Sequence, residues 1–269
     1  ATVSNSGFVT AVGKGFTNIT ATTEEGNFTA VCAIRVEDED GELWDSSQDS
    51  LRSGKKTLNF YSFNDLHGTT AKNEDGSEPG INLLSSYVKY LKSQNPDGFV
   101  LTSSGDMWQG SADSNITRGR LVVDWMNLMG FSAMAIGNHE FDWTINQIKT
   151  NQFYSNFDML ACNIVETETG KNVDWVKPYT TITRNGVHIG IIGAIGEGIT
   201  SSIVQSNVKG LKFADPNPYI ISWSEYLREQ GADVIMVLLH DPIGSINSST
   251  APYINGVFGG HSHATENSL

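Results

Sequence analysis

Cysteine is nearly absent from this chain of 269 residues, with Cys32 and Cys162 falling in segments of different texture. No disulfide framework can hold such a chain together, and both residues read as free, buried thiols. Basic residues are also scarce, 17 against 30 acidic ones, for a net charge of −13. A surface of that sign repels nucleic-acid backbones and anionic lipid, which excludes partners recognised through a basic patch. It repels anionic small molecules too, unless bound cations reverse the local sign. No apolar run approaches the roughly 20 residues of a membrane-crossing helix. The first residues lack the basic, apolar and small-residue order of a signal peptide. What remains is ordinary: 39% hydrophobic and 17% charged residues, enough for one large domain or a small and a larger one.

Residues 1–36 are rich in Thr and Val and punctuated by glycine. Phe28, Ala30, Cys32, Ile34 and Val36 put an apolar residue at every second position, as in a strand with one face on a core. Glu24–Asn27 reads as a tight turn, with Gly26 free to take a positive φ. The zone is therefore expected to be antiparallel β, although it is shorter than domains that usually fold unaided. Its sequence, ATVSNSGFVTAVGKGFTNITATTEEGNFTAVCAIRV, resembles the second half of a bacterial immunoglobulin-like module of the second group. Such modules are tandem spacers in surface and secreted proteins. Residues 37–56 follow as a connector. Its run Glu37-Asp38-Glu39-Asp40-Gly41-Glu42 lacks the alternating ligands of a calcium loop, so an extended acidic linker that buries little is expected.

From Thr57 the texture changes. Apolar patterning predicts strands at 58–64, 99–103, 133–136, 234–239 and 256–258, with an extended stretch at 159–165. Helices are predicted at 81–92, 121–129, 144–154 and 219–229. A hairpin over 179–195 turns at Arg184-Asn185-Gly186, since Asn-Gly favours the turn that suits paired strands. Strands alternating with helices over roughly 200 residues mean a layered α/β domain, here 57–269.

The chemistry-bearing residues follow the ends of those strands. Asp65 and His67 stand in NFYSFNDLHG, Asp106 in VLTSSGDMWQGS, and Asn138 and His139 in AIGNHEFD. His240 closes VIMVLLHD, and His261 and His263 close VFGGHSHA. Loops at the carboxyl ends of strands are where α/β proteins hold their ligands. Of six histidines only His188, inside the hairpin, falls elsewhere, and it reads as a surface or satisfied core residue. Imidazole, carboxylate and carboxamide without a nearby thiolate suit Zn, Mn, Fe, Ni or Co. In the Asp-x-His and His-x-His pairs, extended backbone would point both side chains the same way. Asp106, with two carboxylate oxygens, is the natural bridge between two cations about 3.5–4 Å apart, which turn a shared water into an in-line nucleophile. His139 follows a ligand directly, so it points beside the cations and is the candidate to protonate a leaving group. Asp142 either orients the His139 ring across one helical turn or caps the helix opening at Trp143, and both readings stand. Gly190, Gly193, Gly196 and Gly198 miss the spacing of a phosphate-cradling loop and read as ordinary loop.

NDLHG, GDMWQGS, GNHEFD, the LLH strand end and GGHSHA occur in that order over residues 58–264. Together they resemble the metallophosphoesterase domain of secreted and periplasmic 5′-nucleotidases, in the calcineurin-like superfamily. The resemblance implies a four-layer α/β fold, two mixed sheets flanked by helices. It implies two divalent metal ions (Zn, Mn, Co, Ni, Fe or Mg). Asp65, His67, Asp106 and His263 would surround one, and Asp106, Asn138, His240 and His261 the other. It implies His139 and Asp142 as the catalytic pair, with Asn138 and His139 against the substrate. The implied activity is hydrolysis of nucleoside 5′-monophosphates, with 2′,3′-cyclic nucleotides or UDP-sugars as alternatives, outside the cell and without a nucleic-acid partner. The family's second domain supplies arginines for the phosphate and aromatics for the base. The chain ends six residues after His263, so the domain reads as C-terminally truncated. His240 departs from the family in being followed by Asp-Pro. The immunoglobulin-like start also fits a cell-surface spacer or adhesion protein with an inert metal site.

Overall fold

The structure is a computed structural model that describes residues 2–4, 7, 9–10, 15–23, 25, 28–36, 43–74, 76 and 78–264. The acidic run 37–42, the turn residues Glu24, Gly26 and Asn27, and the side chain of Cys32 lie outside the described residues. Thr2–Val3 (β1) pairs antiparallel with Val9–Thr10 (β2), and Gly15–Thr22 (β3) with Thr29–Val36 (β4).

The expected extended linker ends early. Ser46–Leu51 is a 3-10 turn capped by Asp45, whose carboxylate accepts the Ser47 N–H at 3.0 Å. Trp44 lies flat on the His188 ring, 4.5 Å between centroids and 1° between planes, and Thr181 Oγ1 donates to the Leu43 carbonyl at 2.6 Å. Charge repulsion governs a stretch only while it has nothing to dock on. Here an indole and several hydrogen-bonding groups find partners on the hairpin. His188 is buried there, with Nδ1 3.3 Å from the Gly231 carbonyl.

Two four-stranded sheets build the rest. In the first, Asn59–Ser62 (β5), Phe99–Ser103 (β6), Ala133–Ala135 (β7) and Asp158–Leu160 (β8) run parallel in that order. Four helices connect them: Gly80–Gln94 (α1), Ala112–Thr117 (α2), Arg120–Met129 (α3) and Thr144–Tyr154 (α4). Phe99, Leu101, Met134 and Met159 face Val88, Val122, Met126 and Ile148 of α1, α3 and α4 in one core. The alternate residues Val100, Ala133, Ala135 and Leu160 face the second sheet, where Ile189, Ile191, Met236 and Leu238 complete an inner core.

That second sheet orders Tyr179–Arg184 (β10), Val187–Ile195 (β11), Val234–His240 (β13) and Gly256–Phe258 (β14). The hairpin β10–β11 is antiparallel and turns through Asn185 (φ 52°) and Gly186 (φ 77°), the double positive φ that Asn-Gly favours. β11, β13 and β14 are parallel, so the mixed character lies in this sheet. Helix Pro216–Glu229 (α5) covers its outer face with Tyr219, Ile220, Trp223 and Leu227. The order helices, sheet, sheet, helix makes the α/β four-layer architecture that the resemblance implies.

Local departures have local causes. The stretch 159–165 is two strands, because the buried Asn163 amide bonds Ile195 and Ala214 and breaks the run. Ile164–Glu166 (β9) then pairs antiparallel with Leu211–Phe213 (β12). Helix α5 starts three residues earlier than expected, since Asp215 accepts the Asn217 N–H and Pro216 suits the first turn. Gly190 and Gly193 are not loop but lie within β11. A Cβ on Gly193 would stand 2.3 Å from the Leu160 Cβ, so glycine sets how closely the two sheets approach. Cys162 is a free buried thiol, as expected.

Candidate metal centre

The carboxyl ends of β5, β6, β7, β13 and β14 open onto one edge, where the loops carrying the expected ligands meet. Three overlapping groups of donor atoms, each within 4.8 Å of one another, form there. They are Asp65–His67–His263, Asp106–His240–His261, and His67–Asp106–His139. Asn138 joins the second, its Oδ1 3.0 Å from His240 Nε2, while Asp106 Oδ2 is 3.1 Å from the same nitrogen. His67 Nε2 and His263 Nε2 face each other at 3.0 Å, and His263 Nε2 is 3.7 Å from Asp65 Oδ1. The structure thus brings all seven expected ligands together.

The backbone at five of the seven is left-handed, not extended. Among the described residues, eight non-glycine positions have positive φ, and five are Asp65, His67, Asp106, His261 and His263, at 48–70°. Each costs of order 1–3 kcal/mol and persists only where the surroundings fix it. Those surroundings are visible. The loop after β5 donates three N–H groups to the loop after β6: Asp65 to Gly105, His67 to Asp106 and Gly68 to Met107, at 2.8–3.1 Å. The Asp65 carboxylate accepts the His261 N–H at 3.0 Å, linking the first sheet's edge to the second's.

Hydrogen bonds settle which ring nitrogens are free. His67 Nδ1 lies 3.2 Å from the Gln109 carbonyl and His240 Nδ1 2.8 Å from the Ser104 carbonyl. A carbonyl only accepts, so each Nδ1 carries a proton, and in the neutral ring each Nε2 presents a lone pair. Lone pairs on His67 and His240 then converge with carboxylate and carboxamide oxygens, an array that repels itself until a cation enters it. The donor set fits divalent metals of the imidazole and carboxylate type. Electrostatics agree. Burial alone would lower the pKa of His240, but the hydrogen bond and charge of Asp106, with Glu140, raise it above the ordinary value, a proton serving where a cation would. Burial would raise Asp106, yet His240 holds it below the usual carboxylate range. Burial lowers His67.

Beside the cluster, His139 Nδ1 is 2.7 Å from Asp142 Oδ2, and the His139 ring meets His67 edge-on at 5.0 Å. Helix α4 has no side-chain cap, so Asp142 bonds the ring and does not serve as the cap.

The Calcineurin-like phosphoesterase family matches residues 58–265. The chain belongs to the calcineurin-like phosphoesterases. Among its relatives are the cell wall protein Lmo0130 of Listeria monocytogenes, 26% identical over 232 residues, and a 5′-nucleotidase of Vibrio cholerae, 28% identical over 181. These alignments cover 74% and 66% of this chain but 30% and 32% of the relatives, so the chain spans about a third of their length. The crystal structure of the calcineurin-like phosphoesterase YfkN from Bacillus subtilis superposes with a TM-score of 0.67 at 20% identity, covering 79% of this chain and 74% of that one. At that identity the likeness speaks for the fold.

In this calcineurin-like phosphoesterase, sequence reasoning missed Glu140. Its fully buried carboxylate accepts the N–H groups of Asp106 (2.9 Å), Met107 (2.9 Å) and Gly137 (2.7 Å), tying the loops after β6 and β7 together. Burial and the Asp106 charge push its pKa up to about 7. The available signal was an acid between His139 and Phe141, where a solvated side chain has no place. Asn207, which reaches the turn behind His139, carried no signal in its polar loop.

Proposed function

We propose that this protein is a metal-dependent hydrolase of phosphate esters, with nucleoside 5′-monophosphates as its substrates. Asp65, His67, Asp106 and His263 hold one divalent cation, and Asp106, Asn138, His240 and His261 the other. The observation that carries this reading is the convergence of electron-pair donors, with Nε2 of His67 and His240 freed by the carbonyls behind them. Bound there, divalent cations supply an activated water and neutralise the charge on the phosphoryl oxygens. The chain's own groups do the rest. Asp142 accepts from Nδ1–H of His139 and orients the ring so that Nε2 faces the reacting centre; as imidazolium, the ring hands its Nε2 proton to the departing oxygen and keeps the one on Nδ1. Asn138 and His139 contact the phosphoryl group. The side chains of His139 and His263 are 32% and 58% exposed, which leaves the centre open to a substrate from one side.

The name of the Vibrio cholerae relative supports the choice of substrate. The cell-wall name of the Listeria relative supports a setting outside the cell. Residues 1–36 are read, on their sequence pattern alone, as the end of an immunoglobulin-like spacer. Hydrolysis of p-nitrophenyl phosphate with added Mn or Co tests the chemistry. Turnover should vanish with chelator and drop sharply in His139→Ala. No metal-dependent turnover, with metal stoichiometry near zero by elemental analysis, would favour the inert spacer. A panel of AMP, 2′,3′-cyclic AMP and UDP-glucose ranks the substrates.

A further inference from the structure

The segment that follows β11 touches both halves of the centre. At its start, the Gly196 N–H donates to the carbonyl of His240 at 3.1 Å. Further on, the 3-10 turn Gln205–Asn207 packs against the turn His139–Trp143. There the Asn207 carboxamide nitrogen donates to two successive carbonyls, of Phe141 at 2.9 Å and of Asp142 at 3.1 Å. The turn so gripped begins with His139 and carries, three residues on, the carboxylate bonded to the His139 ring.

That turn has reason to be gripped. It runs into Thr144, whose φ of 73° and ψ of 165° lie in a region occupied almost entirely by glycine, in a β-branched residue. No side chain caps helix α4 behind it. The Asp142 carboxylate is engaged with His139, so it does not brace its own backbone. Asn207 reaches the turn from 65 residues away in sequence, on the segment that also meets the His240 carbonyl.

We propose that Asn207 is a positioning residue for the His139–Asp142 pair. By holding two carbonyls of the turn, it fixes the direction of the Asp142 carboxylate and, through it, the imidazole. This rests on the reading of His139 as the acid that serves the leaving group.

Asn207→Ala and Asn207→Ser, in the whole chain, test it with p-nitrophenyl phosphate and Mn. Alanine should lower kcat by about tenfold or more while KM stays within about threefold, the behaviour of a misplaced catalytic group. Serine, which keeps one donor, should recover part of the loss. Added to Asp142→Ala, Asn207→Ala should cost nothing further, because nothing is left to orient. Losses that multiply, or a wild-type kcat in Asn207→Ala, overturn the proposal. A second readout needs no turnover. In protein labelled at histidine nitrogen, the proton shared by His139 and Asp142 gives a downfield NMR resonance, identified by its absence in His139→Ala. It should broaden or vanish in Asn207→Ala and persist, weakened, in Asn207→Ser. An unchanged resonance in Asn207→Ala refutes the role whatever the rates. Wild-type protein that hydrolyses no ester sinks the proposed function instead, while the resonance still decides the role of Asn207.

Discussion

Replacing Glu140 by glutamine and by alanine separates hydrogen bonding from packing at the point where two ligand loops are joined. Oε2 of Glu140 takes the N–H groups of Asp106 and Gly137, and Oε1 takes that of Met107. Glutamine can offer its oxygen to two of these donors, and its amide nitrogen then faces the third. A buried donor without a partner costs about 1–3 kcal/mol. Glutamine should therefore cost about 2 kcal/mol, which lowers the thermal midpoint of a domain this size by about 4–8 °C. Alanine leaves three donors unanswered beside a void, for about 4–6 kcal/mol. One effect runs the other way, since losing the carboxylate relieves its repulsion with Asp106. Saturating Mn neutralises that repulsion, so the comparison belongs in Mn, with unfolding followed by circular dichroism and turnover measured in parallel. Asp106 and His139 sit on the joined loops, so activity should fall in the same order as stability. Equal midpoints for wild type and both variants would refute the reasoning, as would an alanine variant more stable than the glutamine one.

His139→Ala and Asp142→Ala should each lower kcat by about 10²–10⁴-fold without changing bound Mn, measured by elemental analysis. A drop in bound metal would make His139 a ligand instead. Gly193→Ala drives a methyl into Leu160 of the facing sheet, at 2.3 Å from its Cβ, and should cost about 1–3 kcal/mol in urea unfolding. Without metal, the pKa of Glu140 is raised from 4.5 to about 7, and His240 also lies above its ordinary value. Groups raised in the folded state stabilise fully below their unfolded values and lose that contribution as pH climbs through the folded ones. The Glu140 shift is the large one and outweighs the opposite contribution of His67, which burial lowers, so chelated protein should lose net stability between about pH 5 and 8, and saturating Mn should flatten the profile. A flat profile in chelator would contradict the assignment.

Strand ends were legible because each ligand loop follows an apolar run, as at 99–103 before Asp106 and 234–239 before His240. Helices with a clear apolar face were legible too, whereas α2, six residues opened by Ser111, has no period to read. The docking of Leu43–Leu51 depends on a surface formed some 140 residues later, as in the bond from Thr181 to Leu43. Charge pattern alone could not foresee it. The left-handed turns at Asp65, His67 and His261 were hidden for a related reason, since the first two bond carbonyls of the loop after β6 and the third bonds the Asp65 carboxylate. Asn207 belongs to the same class: it acts on backbone groups of another loop, and a side chain's reach to a distant carbonyl leaves no mark in a motif.

Two of the three donor groups draw on both sheets. His263 joins Asp65 and His67 from the far end of the chain, and His240 and His261 join Asp106. Among the described residues no contiguous stretch holds a complete set, and in those two groups the parts from the two sheets are separated by more than a hundred residues of intervening fold. A nascent or unfolded chain therefore offers a passing cation only weak, partial grips. Tight capture would begin when the sheets have stacked, so loading with metal would report finished assembly, and ions bound there would in turn rivet together the two sheets that made room for them.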